Sequence, residues 1–352
     1  MCRFNQKSYI LKALLNNSQK CPVNAESAWS RVLVLRRFPM AAKRKLTYRI
    51  TNWRQYNESL VARGSVTVWF SEEALASWQH PNAQSKVGRP FVYSDSAIEC
   101  LLTLRELFKL PYRQTEGFGR SLLTLLGVEA TIPDYSSLAK RAAKLGVSLA
   151  IANKRGAIDV VVDGTGLKVF GEGEWKTRTH GKSKRRTWRK LQLSVNPDTR
   201  EIVAETLAEN SSHDADSVEE LLSQIDQPIH KFYGDGAYDK WKVYETLQAR
   251  SVAPVIPPQH NAKIKQHGNS AAEPLPRDEA IRAIRRLGRR RWKREAGYHR
   301  RSLAETTVYR VKQTFGDRLK NRRLPNQRTE ARIRCKILNR FTQLGMPLFE
   351  WN

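Results

Sequence analysis

Between Ala157 and Pro258 the chain alternates strand-like and helix-like segments in an order that few folds accommodate. AIDVVVDGTGLKVF, rich in β-branched residues, reads as a strand, RTWRKLQLSVN as a second and EIVAETLAE as a third. PDTR turns the last two into a hairpin. SVEELLSQI then takes helical spacing, KFYGD gives a short fourth strand, DKWKVYETLQAR a further helix, and APVIPP a fifth strand stopped by its prolines. Three sequential strands followed by αβαβ require one mixed sheet with helices on its faces.

The expected fold is therefore α/β and ribonuclease H-like, a mixed five-stranded sheet flanked by helices. In that arrangement acidic residues gather near the first strand, the fourth strand and the final helix. Three carboxylates occupy those stations. Asp163 lies within the first strand, followed by Gly164 and Gly166, small residues expected to leave room for a phosphate backbone. Asp235 follows the fourth strand in GDGAYD, and Glu305 lies on the late helix YHRRSLAETTVYRVKQTFG. Read as one helix, that segment puts Tyr298, Arg301, Glu305 and Lys312 at offsets 0, 3, 7 and 14, on a single face. A carboxylate, a guanidinium and an ammonium on one side suit both a metal ion and a phosphodiester.

The residue types follow from the chemistry of phosphodiester cleavage. A water must be made nucleophilic and a leaving oxygen stabilised, which two divalent ions about 3.5–4 Å apart can do together. Carboxylate oxygens are hard ligands that suit Mg²⁺, with Mn²⁺ the expected substitute, and no Cys/His zinc cluster competes for the role. Other acids have plainer readings. Asp159, four residues before Asp163, faces the same side but begins the strand; Asp239, Asp214 and Asp216 read as helix caps. His180, His213 and His299 are scattered and are assigned no chemistry.

Charge points to the partner. Sixty-two Lys and Arg against thirty-four Asp and Glu leave +28, so a polyanion is expected, nucleic acid before membrane. An apolar run approaching the roughly 20 residues of a spanning helix is absent, as is a secretory signal, and Cys2, Cys21, Cys100 and Cys335 read as reduced cytoplasmic thiols. Residues 176–190 hold eight Lys or Arg and no acid, among them Lys182, Lys184, Arg185, Arg186 and Arg189. Residues 281–301 hold ten against Glu295 alone, including Arg289, Arg290 and Arg291. Charges this dense repel one another unless phosphates neutralise them, so both runs are expected to contact DNA. Trp292 reads either as a core aromatic or as a platform for an unpaired base.

Ahead of this region, SDSAIECLLTLRELFKL, GFGRSLLTLLGV and PDYSSLAKRAAKLG read as three short helices. They form either a helix-turn-helix-like module, with Lys140, Arg141 and Lys144 on DNA, or a plain helical bundle. The organisation expected is an irregular extension over 1–39, which is either a basic arm or an upstream mis-start at Met1 rather than Met40. A mainly helical, end-DNA-binding region over 40–152 follows. Residues 153–347 then form the catalytic domain, with a basic insertion at about 259–297.

The phrases VVVDGTGLKVFGEGEWK, GDGAYD and GYHRRSLAET, with intervals of 72 and 70 residues between the acids, resemble bacterial insertion-sequence transposases of the DDE class, family five in particular, from Met40 to about Pro347. The spacing Tyr298, Arg301, Glu305, Lys312 matches that class's C-terminal signature. The resemblance implies that Asp163, Asp235 and Glu305 are the catalytic, metal-binding acids, accompanied by Tyr298, Arg301 and Lys312. It also implies hydrolytic nicking at short inverted repeats to free 3′-hydroxyls, which then attack target DNA. Double-stranded DNA, Mg²⁺ at two ions per site, a homodimer on DNA and a cytoplasmic, nucleoid-associated location are the corresponding expectations. A DNA-binding protein or element remnant that does not cut, and a ribonuclease H-like nuclease, are the alternative readings.

Overall fold

A computed structural model describes residues 48–351, apart from 71, 83–89, 153–154, 170–187, 210–211 and 268–272. Residues Arg49–Glu350 form one compact unit. Helices α1 (Trp53–Ala62), α2 (Asp95–Leu107), α3 (Tyr112–Leu125) and α4 (Tyr135–Ala142) precede the sheet. The signals at their ends are local. Ser94 Oγ accepts from Ala97 N–H to start α2, and Asp134 accepts from the Ser136 and Ser137 amides to start α4.

The sheet holds β1 (Ile158–Val169), β2 (Trp188–Val195), β3 (Ile202–Glu209), β4 (Ile229–Tyr233) and β5 (Ala253–Val255), in the order β3-β2-β1-β4-β5. β1–β2 and β2–β3 pair antiparallel, whereas β1–β4 and β4–β5 are parallel. This is the mixed, ribonuclease H-like sheet expected. A two-residue strand, β6 (Arg318–Leu319), adds to the far end of β1, pairing Lys168 with Arg318 and Val169 with Leu319.

Strand alternation assigns each face of β1 its own core. Ile158, Val160 and Val162 pack with α5 (Val218–Ser223) and α6 (Trp241–Ala249) through Leu221, Leu222, Val243 and Leu247. Val161 and Leu167 belong to the opposite core, shared with Ile98 and Leu101 of α2 and with two late helices. Those are α9 (Ser302–Phe315), which contributes Ala304 and Val311, and α10 (Leu324–Leu344), which contributes Ala331 and Ile333. The basic connection is itself structured, forming α7 (Pro276–Leu287) and α8 (Arg289–Glu295) rather than an open loop.

Candidate active site

On its β4 side, β1 is paired as far as Val161 opposite Tyr233, and pairing resumes with β6 at Lys168. Asp163 sits in the gap, held in register by β2, where it lies opposite Leu193. Such a gap at the carboxyl end of a parallel strand is where open sheets accept ligands. Asp235 enters it two residues beyond β4, as the N-cap of a 3₁₀ turn at Gly236–Tyr238; its Oδ1 accepts from Ala237 N–H at 2.8 Å. A Cβ at Gly234 before it would lie 3.0 Å from the Tyr238 ring and 3.1 Å from Phe232, so any larger residue requires those rings to shift. Glu305 comes from the first turn of α9, where the helix dipole favours a carboxylate. Tyr298 and Arg301 belong to a separate 3₁₀ turn that follows Gly297 in the left-handed conformation, so the late segment is not the single helix expected.

One guanidinium joins the three acids. Arg301 Nη2 lies 3.3 Å from Asp163 Oδ1 and 3.6 Å from Asp235 Oδ2, and Arg301 Nη1 donates to Glu305 Oε1. Burial pushes the Asp163 carboxyl up, with Asp235 and Glu305 adding to the effect against the opposing pull of Arg301 and the Gly164 amide. Burial raises the Tyr298 hydroxyl as well, and Arg301 is held firmly protonated by its acidic surroundings despite its burial. Among the described residues no three His, Cys, Asp or Glu stand close enough together to hold a metal ion, because the guanidinium occupies the centre. The donor chemistry nevertheless fits a hard divalent ion. Every donor is a carboxylate oxygen, and the space between them already accommodates positive charge. Lys312 is not brought in: it is exposed in the last turn of α9, about 10 Å along the axis from Glu305.

The remaining expectations divide. Gly164 and Gly166 do not leave open room; a Cβ would meet the Gln192 side chain at 3.4 Å and the Trp188 ring at 3.2 Å, so cross-strand neighbours fill the space. Asp159 shares the face of Asp163 but is bound to Arg300, with His230 Nδ1 at 3.3 Å and the Tyr233 hydroxyl at 3.4 Å. Asp239 is structural without capping a helix, since its carboxylate holds Arg277 at 2.7 and 3.1 Å and accepts from Gln259 N–H. Asp216 accepts from His213 N–H as a cap should, whereas Asp214 accepts from Gln192 at 3.0 Å. Trp292 is buried, which places it in packing. Lys182, Lys184, Arg185, Arg186 and His180 lie outside the described residues.

Of the other cations, Arg189 donates to Gln327, Arg289 to the Pro258 carbonyl and Arg291 to Glu295, and Arg290 is exposed. Arg141 is committed internally to Asp95 and the Tyr93 carbonyl, while Lys140 and Lys144 are exposed. Sequence reasoning missed the pairing of Arg300 with Asp159 and Asp198, which fixes the 3₁₀ turn that carries Arg301. The offset from Glu305 singled out Arg301, but nothing in the sequence marked its neighbour Arg300 for Asp159 and Asp198.

Two family models, each described as a transposase DDE domain, match this chain, one over residues 61–172 and the other over 154–340, more than half of its length. The chain belongs to the DDE transposase family. The second match contains Asp163, Asp235, Arg301 and Glu305, and the first spans α2 to α4 and most of β1. The transposase is also similar to a solved structure, the cryo-EM structure of the piggyBac transposase synaptic complex with hairpin DNA. Identity is 10% and the TM-score 0.37, over 81% of this chain and 75% of that one. Among the described residues no helix of the transposase is long and apolar enough to cross a membrane.

Proposed function

We propose that this transposase binds the inverted-repeat ends of its insertion sequence, nicks them to free 3′-hydroxyls and joins those ends to target DNA. The observation that carries the reading is the convergence of Asp163, Asp235 and Glu305, from three separate elements, on the one Arg301 guanidinium. Acids assembled for stability alone would not be gathered at a sheet gap with one carboxyl raised by burial and by the others.

Two divalent ions, Mg²⁺ in the first instance, would be held by Asp163, Asp235 and Glu305 and would supply Lewis acidity at the scissile phosphate. Holding them requires the Arg301 guanidinium to give up its place, and its natural new partner is a phosphate oxygen. Tyr298 then faces the same phosphate through a hydroxyl that burial keeps protonated, and Lys312 meets the strand two helical turns further along. In the first step water attacks phosphorus, the bond to the 3′ oxygen breaks and that oxygen leaves as a hydroxyl. In the second, the hydroxyl attacks a target phosphodiester and displaces a target 3′ oxygen. Residues 40–152 contact end DNA, the basic runs 176–190 and 281–301 contact backbone, and two protomers hold two ends.

The test is cleavage of a labelled duplex carrying the flanking inverted repeats in Mg²⁺. Asp163→Asn, Asp235→Asn and Glu305→Gln are each expected to bind DNA as wild type does yet cut about 10³-fold more slowly or worse, the loss of several kcal/mol of metal-borne stabilisation. Variants that cut like wild type overturn the assignment. Cutting without joining by the wild-type chain indicates a nuclease of the same fold instead.

A further inference from the structure

A cavity of about 1090 Å³ lies away from the three acids, between α4 and the segment Lys320–Arg323 that links β6 to α10. Lys140 and Lys144 form one wall, one helical turn apart, and Lys320, Arg322 and Arg323 the other. Asp95, the acid in its lining, is taken by Arg141. Lys140, Lys144, Arg322 and Arg323 are exposed and make no ion pair among the described residues. The Lys320 ammonium is buried with no hydrogen-bond partner. Like charges so placed repel; Glu106 and Glu330 act on Lys320, but no ion pair among the described residues offsets the four exposed cations.

We infer that this groove is a second DNA-contact site, gripping the phosphodiester backbone of duplex DNA. The inference rests on the transposase reading and adds a surface shared between the helical region and the chain beyond β6. The aromatic lining decides between backbone and bases. Phe91, Tyr112 and Tyr135 each carry an arginine over the ring, Arg141 at 4.3 Å, Arg105 at 4.3 Å and Arg113 at 4.8 Å. The rings are therefore occupied by cations and present positive charge, unlike the open stacking platforms of single-strand grooves. Position also fits a duplex. The Lys320 wall begins just past the end of β1 at Val169, six strand residues beyond Asp163, or roughly 20 Å, about six base steps. At 3.4 Å per base step that is a little over half a turn of duplex from a strand held at the acids.

The test measures binding of a fluorescent 20-base-pair duplex, and of the same length of single strand, by the full chain across a KCl series. Lys140→Gln/Lys144→Gln and Arg322→Gln/Arg323→Gln are each expected to shallow the slope of log K against log [KCl] for duplex by about 1–2, since each lost phosphate contact removes about 0.9. Arg322→Lys/Arg323→Lys is expected to keep the wild-type slope. Lys242→Gln/Arg340→Gln, an equal charge change at exposed positions outside the groove and outside the regions assigned to DNA, is expected to shift it by less than about 0.5. Wild-type duplex binding with unchanged slopes in both groove pairs overturns the groove alone. A groove-dependent preference for the single strand overturns the backbone assignment, and absence of any duplex binding by wild type overturns the transposase reading with it.

Discussion

Glu205 on β3 shows how burial alone sets the behaviour of a single carboxyl. Its Oε2 is buried without a hydrogen-bond partner, Arg332 Nη1 lies 3.3 Å from Oε1, and burial pushes its titration up to about 7 despite that guanidinium. A folded-state value above the unfolded one means that the native chain binds the extra proton. Stability is therefore present below about pH 4.5 and is lost as pH rises toward about 7, at up to about 1.4 kcal/mol per pH unit. Glu205→Gln is expected to flatten the midpoint of urea unfolding over that window, and a profile as steep as wild type would contradict it. Glu205 had no distinguishing mark in EIVAETLAE, where an acid among apolar residues reads as the solvent side of a strand. Asp163 and Asp235 were legible because topology gave them stations, whereas the convergence of all three acids on Arg301 depends on side-chain positions that spacing does not contain.

At the scale of elements, α10 is the one that local pattern concealed. Its 21 residues bury Asn326, Gln327, Thr329, Glu330, Arg334 and Asn339 beside its apolar side chains, so the polar–apolar period that announces a surface helix is blurred. Those polar groups are matched to particular partners. Arg334 donates to Glu106 of α2 and to Glu330, and Glu330 accepts from the Lys320 and Asn321 amides, which sets the chain after β6. Asn339 serves edge strand β3, accepting from Ile202 N–H at 2.7 Å and donating to the Ile202 and Leu149 carbonyls at 2.8 and 2.9 Å. Asn339→Leu preserves bulk but leaves those buried backbone groups unmatched. It is expected to cost about 1–3 kcal/mol for each group left unsatisfied, read as a lower urea midpoint with an unchanged slope. A midpoint equal to wild type would show that the strand end does not need the asparagine.

For the molecule as a whole, the helical region and the sheet share a core. Ile98, Leu101 and Leu104 of α2 lie in the same cluster as Leu191, Leu193 and Val195 of β2 and Ile333 and Leu338 of α10. Each such side chain contributes about 1.5–3 kcal/mol of burial that neither region provides alone. A chain cut to residues 153–350 is therefore expected to bind the apolar dye ANS and to lack a cooperative melt, whereas residues 49–350 unfold in one transition. A sharp melt of the shorter piece would show that the sheet stands independently. The division expected near residue 152 separates regions by task along the chain, and one of the family matches runs across it, over 61–172.

The sequence by itself determined the order and type of the sheet's elements, the stations of Asp163, Asp235 and Glu305, and a strongly positive net charge. Each of these follows from interactions between residues near one another in the chain, or from composition. The tertiary structure decided that all three acids converge on the one Arg301 guanidinium and which other acids are consumed by ion pairs. It also decided that Gly164 and Gly166 are filled by neighbours, and that Lys140 and Lys144 face Arg322 and Arg323 across one groove. Those outcomes depend on packing between segments that are not neighbours in the chain, where a shift of one side chain changes partners without altering the local pattern that the sequence displays.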